Sequence, residues 1–226
     1  LRTHTALWKR RSPRDLGAGW DFDDVRDHYV QRLFGVDPTS LRYADHARYL
    51  TLGRQAVAEA MGTAYTYWRS PGSRCKGALV WLLRDLWPGA GWGIVDSTGD
   101  PKSPWYELRR NLQPQWIGIS DEGLNGIAVH MVNESATACA GTLRLTLYRD
   151  GRHVAENAER IVELGPRSGT TLNAVSLLAG FQDLGHAYRF GPLGSDLIVA
   201  SFRPHTGREM TAFFLPRTDL HLQPRG

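Results

Sequence analysis

Gly77-Ala-Leu-Val-Trp81-Leu-Leu-Arg-Asp85-Leu-Trp87-Pro88-Gly-Ala-Gly-Trp92-Gly-Ile-Val-Asp96-Ser-Thr-Gly99-Asp-Pro101-Lys102-Ser-Pro-Trp105-Tyr106-Glu-Leu-Arg109-Arg110 is the stretch on which the fold of the first half turns. Its opening, Gly77 to Leu83, is short, apolar and bounded by glycine and proline, which predicts a strand buried on both faces. Upstream, Ala47, Leu50, Arg54, Val57, Met61, Ala64 and Trp68 recur at three- and four-residue steps, one stripe of a helix running from Asp45 to Ser70. Pro71-Gly72 stops that helix. Downstream, Pro101 to Leu112 supplies a further short helix, and an earlier one is predicted from Phe22 to Phe34, with Asp21 or Asp23 at its cap. Helices alternating with a buried strand are the grammar of an α/β protein with a parallel sheet.

From about Pro114 the rhythm changes to period two. In Thr142-Leu143-Arg144-Leu145-Thr146-Leu147-Tyr148 the leucines face one way and the polar residues the other, the mark of a half-buried strand. Ile127, Val129 and Met131 alternate likewise, and turn residues fall where such strands need them, at Asp121-Glu122-Gly123 and Asp150-Gly151. Further strands are predicted at Thr170–Leu177, Asp196–Phe202 and Glu209–Leu215. Six or seven short strands in the second half indicate an antiparallel β-sandwich. The reading is therefore α/β followed by all-β, with domains at 1–113 and 114–226.

Composition bounds the function classes. Of 226 residues 42% are hydrophobic and 22% charged, and no apolar run approaches the ~18 residues of a membrane helix. Neither an apolar leader nor a cleavage site follows Leu1, so the chain reads as a piece of something longer, its compartment open with the cytoplasm as default. The net charge of +4 raises the question of nucleic acid, but the signs are mixed along most of the chain. The dense exception, Lys9, Arg10, Arg11 and Arg14, reads as a solvated loop. Cys75 and Cys139 make neither a disulfide framework nor a metal spacing and read as reduced thiols.

The Gly77–Arg110 stretch resembles the last barrel strand and following loop of the β-mannosidases of glycoside hydrolase family 2. Members carry a glycine-rich strand ending in Trp, an Asn-Asp pair, Trp-Pro, a second Trp and an Asp-x-x-Gly-x-Pro-Lys turn. Here Trp81, Asp85, Trp87-Pro88, Trp92 and Asp96-Ser-Thr-Gly99-Asp-Pro101-Lys102 occupy those places, while Leu82 and Arg84 replace the family's Gln and Asn. Weaker similarity runs back through the Asp45–Ser70 helix and forward through Leu124–Glu134. The resemblance implies the terminal part of a (β/α)8 barrel followed by an immunoglobulin-like antiparallel β-sandwich. In such barrels the active site lies at the C-terminal strand ends. Trp81 would line the subsite of the cleaved sugar, its indole a floor for the apolar face of a pyranose ring. Asp85, Trp87 and Trp92 are the other substrate-binding candidates. A core tryptophan filling the barrel mouth is the rival role for Trp81, packing under the loop for Trp87 and Trp92, and an ion pair with Arg84 for Asp85. Asp96, Gly99, Pro101 and Lys102 read as turn residues.

Retaining glycosidases work with two carboxylates about 5–5.5 Å apart. The resemblance places that glutamate pair on earlier barrel strands, upstream of Leu1. Within the chain Glu59 and Glu107 sit on helices and Asp21, Asp23 and Asp24 serve a helix start, so no catalytic residue is assigned. The eight histidines are scattered without metal-ligand spacing, no Gly-Lys-Ser/Thr follows the glycines, and no nucleophile elbow is present. Neither metal nor cofactor is expected. Asn133-Glu134-Ser135 matches a glycosylation sequon. The expected partners are a carbohydrate substrate and the upstream part of the same polypeptide, with no nucleic acid and no membrane. A non-catalytic carbohydrate-binding sandwich is the alternative from another class. Trp116, Tyr148, Phe181, Tyr188 and Phe190 would be its aromatics, but they are spread over strands and loops. Arginine-driven polyanion binding is the third reading, and it would weaken steeply with salt.

Overall fold

The computed structural model of this chain describes residues 5–11, 19–75, 77–189 and 191–216. They fall into two compact units, residues up to Tyr65 with Gly77–Arg110, and Thr66–Lys76 with the residues from Asn111 on.

The first unit is helical apart from one pair of strands. Helix α1 (Ala6–Arg11) carries the first part of the basic cluster, read from sequence as loop; Arg14 lies outside the described residues. Helix α2 (Phe22–Phe34) begins with a capping box: the Asp21 side chain accepts from Asp23 N and Asp24 N, and Asp24 Oδ2 accepts from Asp21 N at 3.0 Å. Gly35, at φ 63°, closes its C-terminus. Helix α3 (Pro38–Ala44) has Pro at its first position and Asp37 as its cap. Helix α4 (His46–Arg69) is the long amphipathic element. Between α2 and α4 lies a buried polar knot. Arg26 pairs with the fully buried Asp23 at 3.1 Å and lies over the Tyr49 ring, whose hydroxyl donates to Asp27 Oδ1 at 2.8 Å. Burial pushes the Tyr49 phenol far above its ordinary range.

Strands β1 (Leu82–Arg84) and β2 (Gly93–Val95) pair in parallel, Leu82 with Gly93 and Arg84 with Val95. The strand predicted at Gly77–Leu83 is thus shorter and later, and it is not buried. Leu79 is 98% exposed, and Leu82 and Leu83 are exposed with it. Only Val80 reaches a core, packing partly buried against Tyr65, Ile94 and Leu108. The reason is that β1 has β2 as its one sheet neighbour among the described residues, and an apolar run becomes a buried strand only when something covers both faces. Helix α5 (Ser103–Asn111) follows, within the span predicted for it.

The second unit holds seven strands in two antiparallel sheets. One has the order β3 (Gln115–Asp121), β4 (Ile127–Asn133), β7 (Ser168–Asn173); the other β6 (His153–Leu164), β5 (Cys139–Arg149), β8 (Leu197–Pro204), β9 (Met210–Phe214). Ile117, Ile127, Val129 and Met131 from the first meet Leu143, Leu145, Leu147, Ile198, Ala200 and Phe202 from the second in one core. The leucine alternation of β5 is the core face the sequence indicated. At the three-residue β5–β6 connection Asp150 and Gly151 both have positive φ, 55° and 63°, and Arg152 N donates to Arg149 O at 3.2 Å. Cys139 lies in this core as a free thiol, and burial pushes its pKa up.

The opposite face of β4 carries His130, only 4% exposed. Its Nε2 lies 2.7 Å from Ser120 Oγ and its Nδ1 3.0 Å from Thr171 Oγ1, with Glu122 at 4.0 Å. Burial lowers the His130 pKa, against a smaller opposing pull from Glu122. A depressed folded pKa means that the unfolded chain takes up the proton first. The stabilisation is therefore complete above the unfolded value of about 6.5 and is lost as pH falls below it toward the folded value. Urea unfolding at pH 7.5 and 5.0 is expected to show this loss in the wild type and a smaller one in His130→Gln. Equal pH dependence of the two proteins would remove His130 as the cause.

Candidate functional site

The segment from Trp81 to Lys102 is built around one carboxylate. Asp85 follows β1 directly, and its backbone N–H extends the ladder to Val95 O at 3.0 Å. Its side chain turns inward and is 6% exposed. Oδ1 accepts from Gly93 N at 2.8 Å and Oδ2 is paired with the Lys102 ammonium, which also lies 3.5 Å from Gly91 O. A Cβ at Gly91 would sit 2.3 Å from Asp85 Oδ1, and one at Gly93 would sit 2.6 Å from the Asp85 backbone nitrogen. Those two glycines are what lets the 85–92 loop close over the carboxylate. The loop also explains a parallel pair joined without a helix, where such strands ordinarily need a crossover of about a dozen residues or more.

The rest of the turn is equally specified. Asp96 Oδ1 accepts from the amides of Thr98, Gly99 and Asp100 at 2.9–3.0 Å, and Gly99 has φ 103°. The Thr98 hydroxyl, and then these amides, hold the Asp96 carboxyl below its usual range. The turn chemistry read from sequence at Asp96 and Gly99 is present. Lys102 does more than sequence suggested, since it supplies the cation for Asp85. Arg84, the other candidate partner for Asp85, instead donates to Ser97 O at 2.6 Å.

Around this clamp the tryptophans stand outward. Trp81 is 80% exposed, Trp87 62% and Trp92 51%, and the Trp92 ring meets Phe22 edge to face with centroids 4.5 Å apart. Exposed indoles on a fixed loop can stack on the apolar face of a sugar ring. Asp85, by contrast, has both oxygens occupied and acts from beneath the loop. Asp85, Trp87 and Trp92 thus lie on the loop that follows β1, whereas Trp81 directly precedes β1, at the strand's other end from that loop and not at the C-terminal end expected from sequence, because the strand begins only at Leu82.

Carboxylates elsewhere in this unit are engaged. Asp21 caps α2, Glu59 accepts from Gln55 at 2.7 Å, and Glu107 pairs with Arg110. Among the described residues no group of three or more His, Cys, Asp or Glu is placed to hold a metal, and no helix is long and apolar enough to cross a membrane. Asn133 of the sequon is fully buried. Its amide nitrogen donates to Thr137 O and Gly165 O at 2.8 and 2.9 Å, and its oxygen accepts from Ser135, so the motif is here a turn lock with no free amide for a glycan. Of the aromatics considered for the sandwich, Trp116 is buried and Phe190 lies outside the described residues. Phe181 and Tyr188, however, are brought together with centroids 5.9 Å apart, a juxtaposition that seven residues of separation did not reveal.

No protein-family model matches the chain. Curated relatives do. The chain is 35% identical over 106 residues to the β-mannosidase B of Aspergillus niger, covering 45% of this chain and 13% of that protein. It is likewise 35% identical over 109 residues to the β-mannosidase B of Thermothelomyces thermophilus, covering 44% of this chain and 12% of that one. The chain therefore spans about an eighth of the length of the curated relatives it matches. Among solved structures, the β-D-mannosidase of Dictyoglomus thermophilum superposes with a TM-score of 0.64 at 18% identity, over 87% of this chain and 22% of that one. An exo-chitosanase of Amycolatopsis orientalis gives 0.63 at 14% identity, over 92% and 24%. The chain thus resembles β-mannosidase B over 106 residues, and it shares its fold with part of a β-D-mannosidase and of an exo-chitosanase.

Proposed function

We propose that the chain serves as the C-terminal portion of a retaining glycoside hydrolase acting on β-mannosides or related β-glycosides. The observation that carries this is the set of outward indoles around β1, Trp81 before it and Trp87 and Trp92 on the loop that the Asp85–Lys102 clamp closes, in a chain 35% identical to β-mannosidase B over 106 residues. In this reading β1 and its loop are the last strand end of a (β/α)8 barrel, with Trp81 in the sugar subsite and Trp87 and Trp92 at its border. The sequence division at 113/114 separates barrel from a brace of immunoglobulin-like topology. Supporting that topology, the three-stranded sheet is made of the first, second and fifth strands of the unit, and the four-stranded one of the others. The exposed apolar run Leu79–Leu83 is the surface on which upstream barrel strands of the same polypeptide would pair.

The catalytic glutamate pair belongs to that upstream part, so the 226-residue chain alone is expected not to turn over a 4-nitrophenyl β-D-mannoside, and joining it to the upstream barrel is expected to restore turnover. Assaying both proteins side by side checks this. Hydrolysis by the chain alone at a rate matching the joined protein would overturn the assignment of the glutamates.

A further inference from the structure

The connection between β7 and β8 folds into a built loop over the end of the sandwich. Ala174–Leu177 forms a short 3-10 turn, and the described residues 178–189 and 191–196 follow without regular structure. Asp183 organises the segment: Oδ1 accepts from Ala187 N at 2.8 Å and Oδ2 from Tyr188 N at 2.9 Å. Tyr188 ties the loop to the β3–β4 turn by donating its hydroxyl to Leu124 O at 2.9 Å, and Gln182 is bonded to Glu156 on β6. Two non-glycine residues, His186 and Arg189, are held at positive φ, 54° and 57°. Such conformations persist where surrounding structure over-determines them, and they concentrate at binding sites.

Inside the loop is a cavity of about 190 Å³, whose polar lining includes Gln182, Asp183, His186 and the buried Ser195. Phe181, next in sequence to the lining residue Gln182, is 73% exposed, and its ring is held at 67° to that of Tyr188. An open aromatic ring on the same loop as a small polar recess offers the chemistry that recognises a saccharide: a ring for the C–H face, and amide, imidazole and hydroxyl for the hydroxyls. The volume lies below the roughly 300 Å³ at which ligand pockets ordinarily begin, which suits one sugar ring at a chain end.

We propose that this loop is an accessory saccharide-binding subsite on the sandwich, distinct from the Trp81 loop, with Phe181 as its platform and Gln182, His186 and Ser195 as its polar contacts. The choice of ligand class rests on the glycosidase reading; the site does not use the same residues. It is tested on the full chain by saturation-transfer NMR with β-linked mannobiose, comparing wild type, Phe181→Ala and Trp81→Ala. Phe181 is exposed, so its loss spares the core, and far-UV circular dichroism verifies the fold. The expected result is binding by the wild type, weakened about five- to tenfold by Phe181→Ala, the scale of one lost ring contact, and residual binding kept in Trp81→Ala, whose sandwich loop is intact. Loss in Trp81→Ala alone would place the sugar on the other loop and overturn this inference while supporting the proposed function. Absence of binding in the wild type would also overturn it, and would leave the proposed function to be decided by turnover of the joined protein.

Discussion

Asp85→Ala is expected to destabilise the first unit by about 2–3 kcal/mol and to strip hydrogen-exchange protection from the Gly93 amide. Removing one partner of a buried ion pair costs roughly 3–5 kcal/mol, because the other charge is left without compensation. The figure is discounted here because the Lys102 side chain is 28% exposed and regains some hydration. The Gly93 N–H loses its acceptor as well, and the two glycines that make room for the carboxylate would face an empty space. Asp85→Asn keeps an acceptor for Gly93 and is expected to cost about 1 kcal/mol less. In a double-mutant cycle, adding Lys102→Met to Asp85→Ala should recover part of the loss, since no ammonium is then left unpaired. Urea unfolding with exchange at Gly93 checks all three. Unchanged protection at Gly93 in Asp85→Ala would show that the loop is held by something else.

The helix starting near Asp21, the long helix after Asp45 and the leucines of β5 were legible for one reason, although the stripe from Ala47 to Trp68 is mostly exposed and the buried face of that helix is Tyr49, Gly53, Ala56, Gly62 and Tyr65. Each is a local pattern whose period or hydrogen-bond geometry is complete within a few neighbouring residues. The 12-residue strand β6 was missed because only Val162 and Leu164 are buried in it; the rest, Val154 and Ile161 included, shows no alternation of apolar and polar residues, and its strand character comes from pairing with β5. Helix α3 carried a signal that was passed over, Asp37 capping directly before Pro38. Gly77–Leu83 shows the opposite limit: apolar composition states what a segment needs, not whether a neighbour supplies it. In the candidate site the four substrate-binding candidates were named from the motif. The partner of Asp85 was not, because Lys102 reaches it through the pairing of β1 with β2, seventeen positions on, and register is not written in spacing. Phe181 and Tyr188 meet for a similar reason, the Asp183 knot in the loop between them.

The second large effect concerns Trp81. Its indole is 80% exposed, and no ring contact or hydrogen bond of its side chain is seen among the described residues. Trp81→Ala is therefore expected to leave the unfolding of the chain within about 0.5 kcal/mol of wild type, the range for surface changes away from structural features. In the complete enzyme the expectation is different. A ring that positions the sugar at the reacting centre contributes to the transition state, and misplacement of a substrate there costs on the order of 100-fold. A stability-neutral substitution with a large kinetic effect is what separates a subsite residue from a packing residue. Trp87 and Trp92 give the internal comparison, since Trp92 also packs on Phe22 and its loss should show in stability too.

The proposed role of this chain is to complete the sugar site of a β-mannosidase-type enzyme. The most direct test is kcat/KM for a 4-nitrophenyl β-D-mannoside, measured on the protein translated from the whole reading frame that contains the chain, with and without Trp81→Ala. The expected result is hydrolysis by the wild type and a drop of about 100-fold in the variant, with the two proteins equally stable. Equal kcat/KM in both, or no hydrolysis of β-mannosides or related β-glycosides by the wild type, would contradict the account.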